Sequence, residues 1–172
     1  DYNYRVFPHI QDKFKTFKMC IRMVNINEPY LKNVPNNIKT EEFWIRMMEY
    51  NTKLLKCIEH QTENICLEAI KHNSHAFIDI KDKTERLCLE AVKKDGYMIM
   101  YIDNPTNEMC LEAVKQSGHV LQYVKNQTDE ICVEAIKKNC DAIAYVHTQT
   151  LELCMMTMNI NPLAFRYVKI QT

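Results

Sequence analysis

Thr84–Pro105 reads TERLCLEAVKKDGYMIMYIDNP, and Thr106–Gln127 directly behind it reads TNEMCLEAVKQSGHVLQYVKNQ. The two lie over one another without a gap, and the interval extends along the chain. Thr40, Thr62, Thr84, Thr106, Thr128, Thr150 and Thr172 recur every 22 residues, with Cys66, Cys88, Cys110, Cys132 and Cys154 in phase. A unit this short is one supersecondary element that cannot bury an apolar face alone, so neighbours must stack into a shared core. The expected fold is all-α: an α-solenoid of about seven stacked repeats, each a long helix followed by a short one, in an elongated superhelix.

The units run 16–39 (with two extra residues), 40–61, 62–83, 84–105, 106–127, 128–149 and 150–171, as a single solenoid domain. Trp44 and Cys20 hold the cysteine column in the first two. Residues 1–15 carry Val6, Phe7, Ile10 and Phe14 outside the template and read as a cap or the remnant of an upstream element. Asp1 in place of an initiator methionine, and a seventh column threonine at Thr172, lead to the expectation of an excerpt from a longer array.

Position 1, the threonine, is the expected N-cap of the long helix, with Glu63, Glu85 and Asp129 behind it where the helix dipole favours negative charge. Leu87, Cys88, Ala91 and Val92, at positions 4, 5, 8 and 9, form one apolar helical face. Glu68, Glu90, Glu112 and Glu134 at position 7 stand three residues before Lys71, Lys93, Lys115 and Lys137, a solvated pair that supports a helix by about 0.2–0.5 kcal/mol. Position 12 is Asn, Asp or Ser throughout, and Pro162 behind Asn161 marks it as the cap of a second helix. That helix is expected to be two turns long, or partly 3₁₀. Its apolar columns are position 16 (Leu31 through Phe165) and position 19 (Val34 through Val168), which the periodicity predicts to be a buried seam in all seven units. Alanines at position 8 give way to Met23, Met47 and Thr157 in outer units, as expected of capping repeats.

Units of the form T-x-E-x-C-L-E-A-V-K-x-x-G-x-x-x-x-Y-V-x-x-Q, as in residues 84–105 and 106–127, resemble a tandem repeat family of unknown function that is abundant in giant DNA viruses of amoebae and found in some bacteria. The resemblance covers about residues 40 to 171. Asn-, Ile- and Lys-heavy usage with only two glycines fits such an AT-rich viral source. It implies a helical repeat in a viral or host-cell setting, and brings no catalytic residues and no activity.

Lys plus Arg equals Asp plus Glu at 22 each, so no whole-chain field steers the protein toward nucleic acid or an anionic membrane. The longest strongly apolar stretches, such as Tyr97 to Ile102, fall far short of the roughly 18 residues of a spanning helix. Eight cysteines suggest a disulfide framework at first sight. Stacked helices lie about 8–10 Å apart, however, beyond the roughly 7 Å Cα separation a disulfide permits, so column cysteines should stay free. The expected setting is a reducing compartment, host cytoplasm or virion, and not secretion.

Cys57, His60, Cys66 and His72 hold the ligand types of a zinc site, but Cys66 belongs to the core column and His72 to the far end of its helix. No metal and no cofactor is expected. Column cysteines near helix starts are copies of one packing role, whereas nucleophilic catalysis needs a single activated site. Cys140 is the expected exposed thiol.

Position 18 holds Tyr101, Tyr123, Tyr145 and Tyr167, rings expected at the edge of the second helix where they would form a ladder, either covering the seam or binding a partner. Position 14 (Tyr97, His119) and position 17 vary beside it. Lys81, Lys125 and Lys169 at position 20 would follow a phosphate backbone if the ladder stacked bases. The leading expectation is a non-enzymatic scaffold binding a protein through this face, with Tyr97, Tyr101, Tyr123, Tyr145, Tyr167, His119, Lys125 and Lys169 as contact residues. Single-stranded nucleic-acid binding is the alternative. A structural virion role or end-to-end self-association is the second protein-binding possibility.

Overall fold

The computed structural model describes residues 4–169. It is all-α among the described residues: seven α-helices, each followed by a six-residue 3₁₀ segment, behind two short 3₁₀ segments at Tyr4–His9 and Asp12–Phe14. The helices are α1 (Phe17–Ile26), α2 (Glu41–Tyr50), α3 (Glu63–His72), α4 (Glu85–Lys94), α5 (Asn107–Gln116), α6 (Asp129–Lys138) and α7 (Leu151–Ile160). From α2 onward each begins 22 residues after the last. The chain divides into two compact units between Asp82 and Lys83, the first carrying α1 to α3 and the second α4 to α7. Within each unit consecutive α-helices pack side by side, and so do consecutive 3₁₀ segments within the second unit.

Each helix starts and stops for a visible reason. All seven position 1 threonines among the described residues, Thr16 through Thr150, accept the backbone N–H three residues on, as Thr106 does from Met109 at 3.3 Å. Position 12 does two jobs in extended backbone near φ −150°. Its N–H closes the α-helix (Asn139 to the Ala135 carbonyl, 2.9 Å), and its side chain caps the 3₁₀ segment (Asn139 Oδ1 accepts from the Asp141 N–H, 2.9 Å). Asn51, Asn73, Asp95 and Asn161 repeat this, whereas Asn27 and Ser117 make no such side-chain cap.

The short element is 3₁₀ over all six residues rather than in part, and it ends with the position 19 N–H on the position 16 carbonyl. At three residues per turn, positions 14 and 17 align in one stripe and positions 13 and 16 in another. That explains a buried column the apolar periodicity did not single out. Position 15 (Leu54, Ala76, Met98, Val120, Ala142, Ala164) is buried alongside position 16. The seam itself has exceptions: Leu31, Ile102 and Val168 are half-buried, and Phe165 is 53% exposed because no further repeat covers it among the described residues.

In the second unit the core is one cluster running from Val92 to Leu153, most complete in the repeat of α6, where Ile131, Cys132, Ala135 and Ile136 of the helix meet Ala142, Ile143 and Val146 behind it. In the first unit Phe43 packs edge-on against Phe17 (6.1 Å) and Trp44 (5.3 Å). The leading segment covers α1 through Phe7, which is buried against Tyr30, whereas Val6 and Phe14 lie exposed. The buried Lys15 ammonium is satisfied by Asp12 and the Asn33 carbonyl, each at 2.9 Å.

Glutamine at position 22 links adjacent repeats. Gln149 donates through Nε2 to the carbonyls of Ile143 (2.8 Å) in its own repeat and Tyr167 (3.1 Å) in the next, and its Oε1 accepts the Lys169 N–H at 2.6 Å. Gln127 and Gln61 do the same one and four repeats earlier. Proline stands at this position in the repeat ending at Pro105 and can supply none of these bonds. There Gln116 of α5 takes over, donating to the Val92 (2.7 Å) and Lys93 (3.2 Å) carbonyls while accepting the Gly96 N–H (2.8 Å).

Candidate interaction surface

The α-helix side of the repeats is a charged, solvated surface. All four Glu–Lys pairs between positions 7 and 10 form, from 2.8 Å (Glu134–Lys137) to 3.3 Å (Glu90–Lys93). Arg46–Glu49 in α2 makes the same pair with the charges exchanged, at 3.0 Å. Lys71 holds the Glu68 carboxyl below the usual carboxylate range, and His72, 2.9 Å away, works in the same direction.

The cysteine column is packing. Cys20, Cys66, Cys88, Cys110, Cys132 and Cys154 are buried and free, with no disulfide between repeats. Burial raises the pKa of the first five, and it pushes the Cys66 thiol up to about 11, with Glu63 and Asp82 adding to the effect. A thiol held above its ordinary pKa is protonated at neutral pH, the opposite of what a cysteine nucleophile requires. The exposed thiol is Cys57, and Cys140 is half-buried beside Asp141, which reverses the expectation from sequence. Among the described residues no three His, Cys, Asp or Glu side chains gather so as to hold a metal ion.

On the 3₁₀ side of the second unit the geometry is more specific than a column of tyrosines. The ring contacts run diagonally, from position 14 of one repeat to position 18 of the next. Tyr97 meets Tyr123 edge-on at 6.3 Å, and His119 meets Tyr145 at 6.0 Å. At the next step Asp141 lies 3.9 Å from Arg166, whose guanidinium covers the Tyr167 ring at 4.7 Å. Position 14 is therefore tied to the following repeat at each of these junctions, through the position 18 ring at the first two and the position 17 guanidinium at the third. Tyr97 is also 3.3 Å from the Ser117 hydroxyl, and His119 Nδ1 is 3.2 Å from Asn139 Nδ2.

Tyr97 and Tyr101 are each 40% exposed, while Tyr123, Tyr145, Tyr167 and His119 are half-buried. Position 17 shares the stripe of position 14, so Met100 and Gln122 are exposed next to the rings. The lysine column is less uniform than its spacing suggests. Lys125 and Lys169 are exposed, but in the first unit the Lys81 ammonium donates to the carbonyls of Ile58 and Glu59, both at 3.0 Å. Periodicity alone marked positions 14 and 18 as separate columns. The offset that pairs them comes from the stagger between repeats.

Fold and surface together define a helical-repeat protein: a repeated frame with a constant core, and one stripe of varied, partly aromatic side chains. A sequence-family model described as "Domain of unknown function (DUF4116)" matches residues 84–128 and again residues 106–151, two tandem matches offset by one repeat. The chain is thus similar, over the central part of its second unit, to a domain family whose function is unknown. No curated protein and no solved structure matches the chain. No described helix is long and apolar enough to cross a membrane.

Proposed function

We propose that the protein is a non-enzymatic helical-repeat scaffold that binds another protein through the 3₁₀ face of its second unit. The observation that carries this is the diagonal pairing of varied position 14 side chains with position 18 rings, Tyr97 on Tyr123 and His119 on Tyr145, above a core that does not vary. Half-exposed tyrosines held by neighbours supply large contact area at low entropic cost, with a hydroxyl left for hydrogen bonding. Each ring is oriented before a partner arrives, which lowers the cost of ordering it.

The setting we propose is a giant virus or its host cell, in line with the residue usage, with a structural place in the virion as one form of the same role. Nucleic acid is the weaker reading. The Lys81 ammonium is committed to backbone carbonyls and the chain's net charge is zero, so the lysine column supplies no continuous track for phosphates.

The test is affinity capture from the native host with the intact protein and a Tyr97→Ala/Tyr123→Ala/Tyr145→Ala variant, both checked for helical content. Loss of specific partners from a folded variant supports the reading, and retention of every partner defeats it. Binding of random single-stranded oligonucleotides, lost steeply as salt rises, would favour the nucleic-acid reading instead.

A further inference from the structure

The outward face of the long helix consists of positions 2, 3, 6, 7, 10 and 11, and in α6 these are Asp129, Glu130, Val133, Glu134, Lys137 and Lys138, five of the six charged. In α7 the same positions are Leu151, Glu152, Met155, Met156, Asn159 and Ile160, with one charge, and they line a single open groove. Leu151 is 77% exposed, Met155 52% and Ile160 50%. The ends of the strip are not left bare by a missing neighbour in the stack, because positions 2 and 11 already face solvent in α4, α5 and α6, where other repeats pack on both sides or one side. In α4, α5 and α6 positions 2, 3, 7, 10 and 11 of this face are polar and only position 6 (Leu89, Leu111, Val133) is apolar, so the apolar Leu151, Met156 and Ile160 of α7 are what set it apart and point to a covering partner.

The order of residues along the strip selects that partner. Its apolar and polar character is symmetric about a point between Met155 and Met156: apolar Leu151 and Ile160 at the two ends, polar Glu152 and Asn159 inside them, methionine on methionine at the centre. We propose that the α7 face binds a second copy of this chain, two α7 helices packing antiparallel about a two-fold axis that passes between Met155 and Met156. In that register Leu151 covers Ile160 of the second copy, and the Glu152 carboxylate accepts a hydrogen bond from its Asn159 amide. Every position on the strip then meets a side chain of matching character, which is the requirement of an isologous interface. A strip with a single carboxylate offers no charge pattern by which a strongly charged partner would be selected. Methionine at the axis suits a contact of this kind, since an unbranched thioether adapts its rotamers to its own image. A face confined to one ten-residue helix belongs with small interfaces, under about 1,200 Å² in total, so the dimer is reversible and depends on concentration.

The test is the mass of the full chain in sedimentation equilibrium from low micromolar to several hundred micromolar. The expected result is a monomer–dimer equilibrium. Leu151→Glu alone and Ile160→Lys alone each give monomer, because either homodimer sets two charges against apolar side chains. An equimolar mixture of the two restores a dimer containing one of each, in which a glutamate faces a lysine at one end and Leu151 faces Ile160 at the other. Asn159→Lys restores the residue type that position 10 carries in α3 to α6, so it leaves the fold intact. It sets a cation against Glu152 of the second copy and tightens the dimer several-fold in a salt-sensitive way. A wild-type monomer at every concentration overturns the proposal, as does a dimer that survives both single substitutions, a mixture that stays monomeric, or an Asn159→Lys variant that associates more weakly than wild type.

Discussion

Gly118 lies directly against the carbonyl oxygen of Ala135, at the point where the 3₁₀ segment Gly118–Tyr123 crosses α6 of the following repeat. A Cβ on Gly118 would overlap that oxygen, and one on Gly96 would stand 2.8 Å from the Ala113 carbonyl in the equivalent place. Neither glycine adopts a positive φ, so what they supply is the absence of a side chain rather than an unusual backbone conformation.

Gly118→Ala decides between two effects of opposite sign. Removing glycine from the unfolded chain would stabilise by about 0.4–1 kcal/mol where the native backbone accepts alanine. The overlap with a backbone oxygen, which no rotamer change can relieve, costs about 1–3 kcal/mol and prevails. Urea unfolding is expected to show a lower midpoint. An equal or higher midpoint would mean that the 3₁₀ segment and α6 are further apart.

Ala113 occupies the other side of such a junction and is fully buried. Ala113→Leu adds three carbons where the repeats touch and is expected to destabilise by about 1–3 kcal/mol, lowering the melting temperature. An unchanged melting temperature would contradict the packing of α5 on its neighbours.

Gln149 is 8% exposed and satisfies two carbonyls and one N–H across the last junction. Gln149→Leu keeps a similar volume and leaves those backbone groups without their partner, at an expected cost of about 1–3 kcal/mol. Hydrogen exchange should localise the change, with the Lys169 amide losing protection first.

Thiol accessibility separates the core column from the surface. With a thiol reagent at neutral pH, Cys57 is expected to react first and Cys140 more slowly, while the six buried column cysteines react only when their repeat opens. Fast modification of Cys88 or Cys110 in the native protein would contradict the core described above.

The raised thiols also set a pH dependence. Cys20, Cys66, Cys88, Cys110 and Cys132 keep their protons in the folded chain at a pH where the unfolded chain has lost them, so the folded state binds more protons and stability falls as pH rises. The window opens at the ordinary thiol value of 9.0 and, for Cys66, extends to about 11. The urea midpoint is expected to drop between about pH 9 and about pH 11. Cys66→Ala should show a shallower drop than wild type.

Much of this architecture is legible in one dimension because a tandem array repeats its instructions. The threonine caps, the apolar quartet of Leu87, Cys88, Ala91 and Val92, and the Glu–Lys pairs depend on spacings of five residues or fewer, which a helix converts directly into faces and caps. The burial of position 15 was hidden because Ala76, Ala142 and Ala164 carry little apolar signal, and because the three-residue turn of a 3₁₀ helix makes their column continuous with other residues than an α-helix would.

By itself the sequence determined the helical repeat, its period, the caps that begin each helix and the buried columns of the long helix, since all of these follow from local geometry applied 22 residues at a time. Only the tertiary structure decided what meets across a junction. Tyr97 is set against Tyr123 rather than Tyr101 against its own column, Gln149 closes on the Tyr167 carbonyl, and Gly118 is pressed to Ala135. Those relations depend on the stagger between neighbouring repeats, and a stagger is set by how whole layers pack, a property that no single repeat contains.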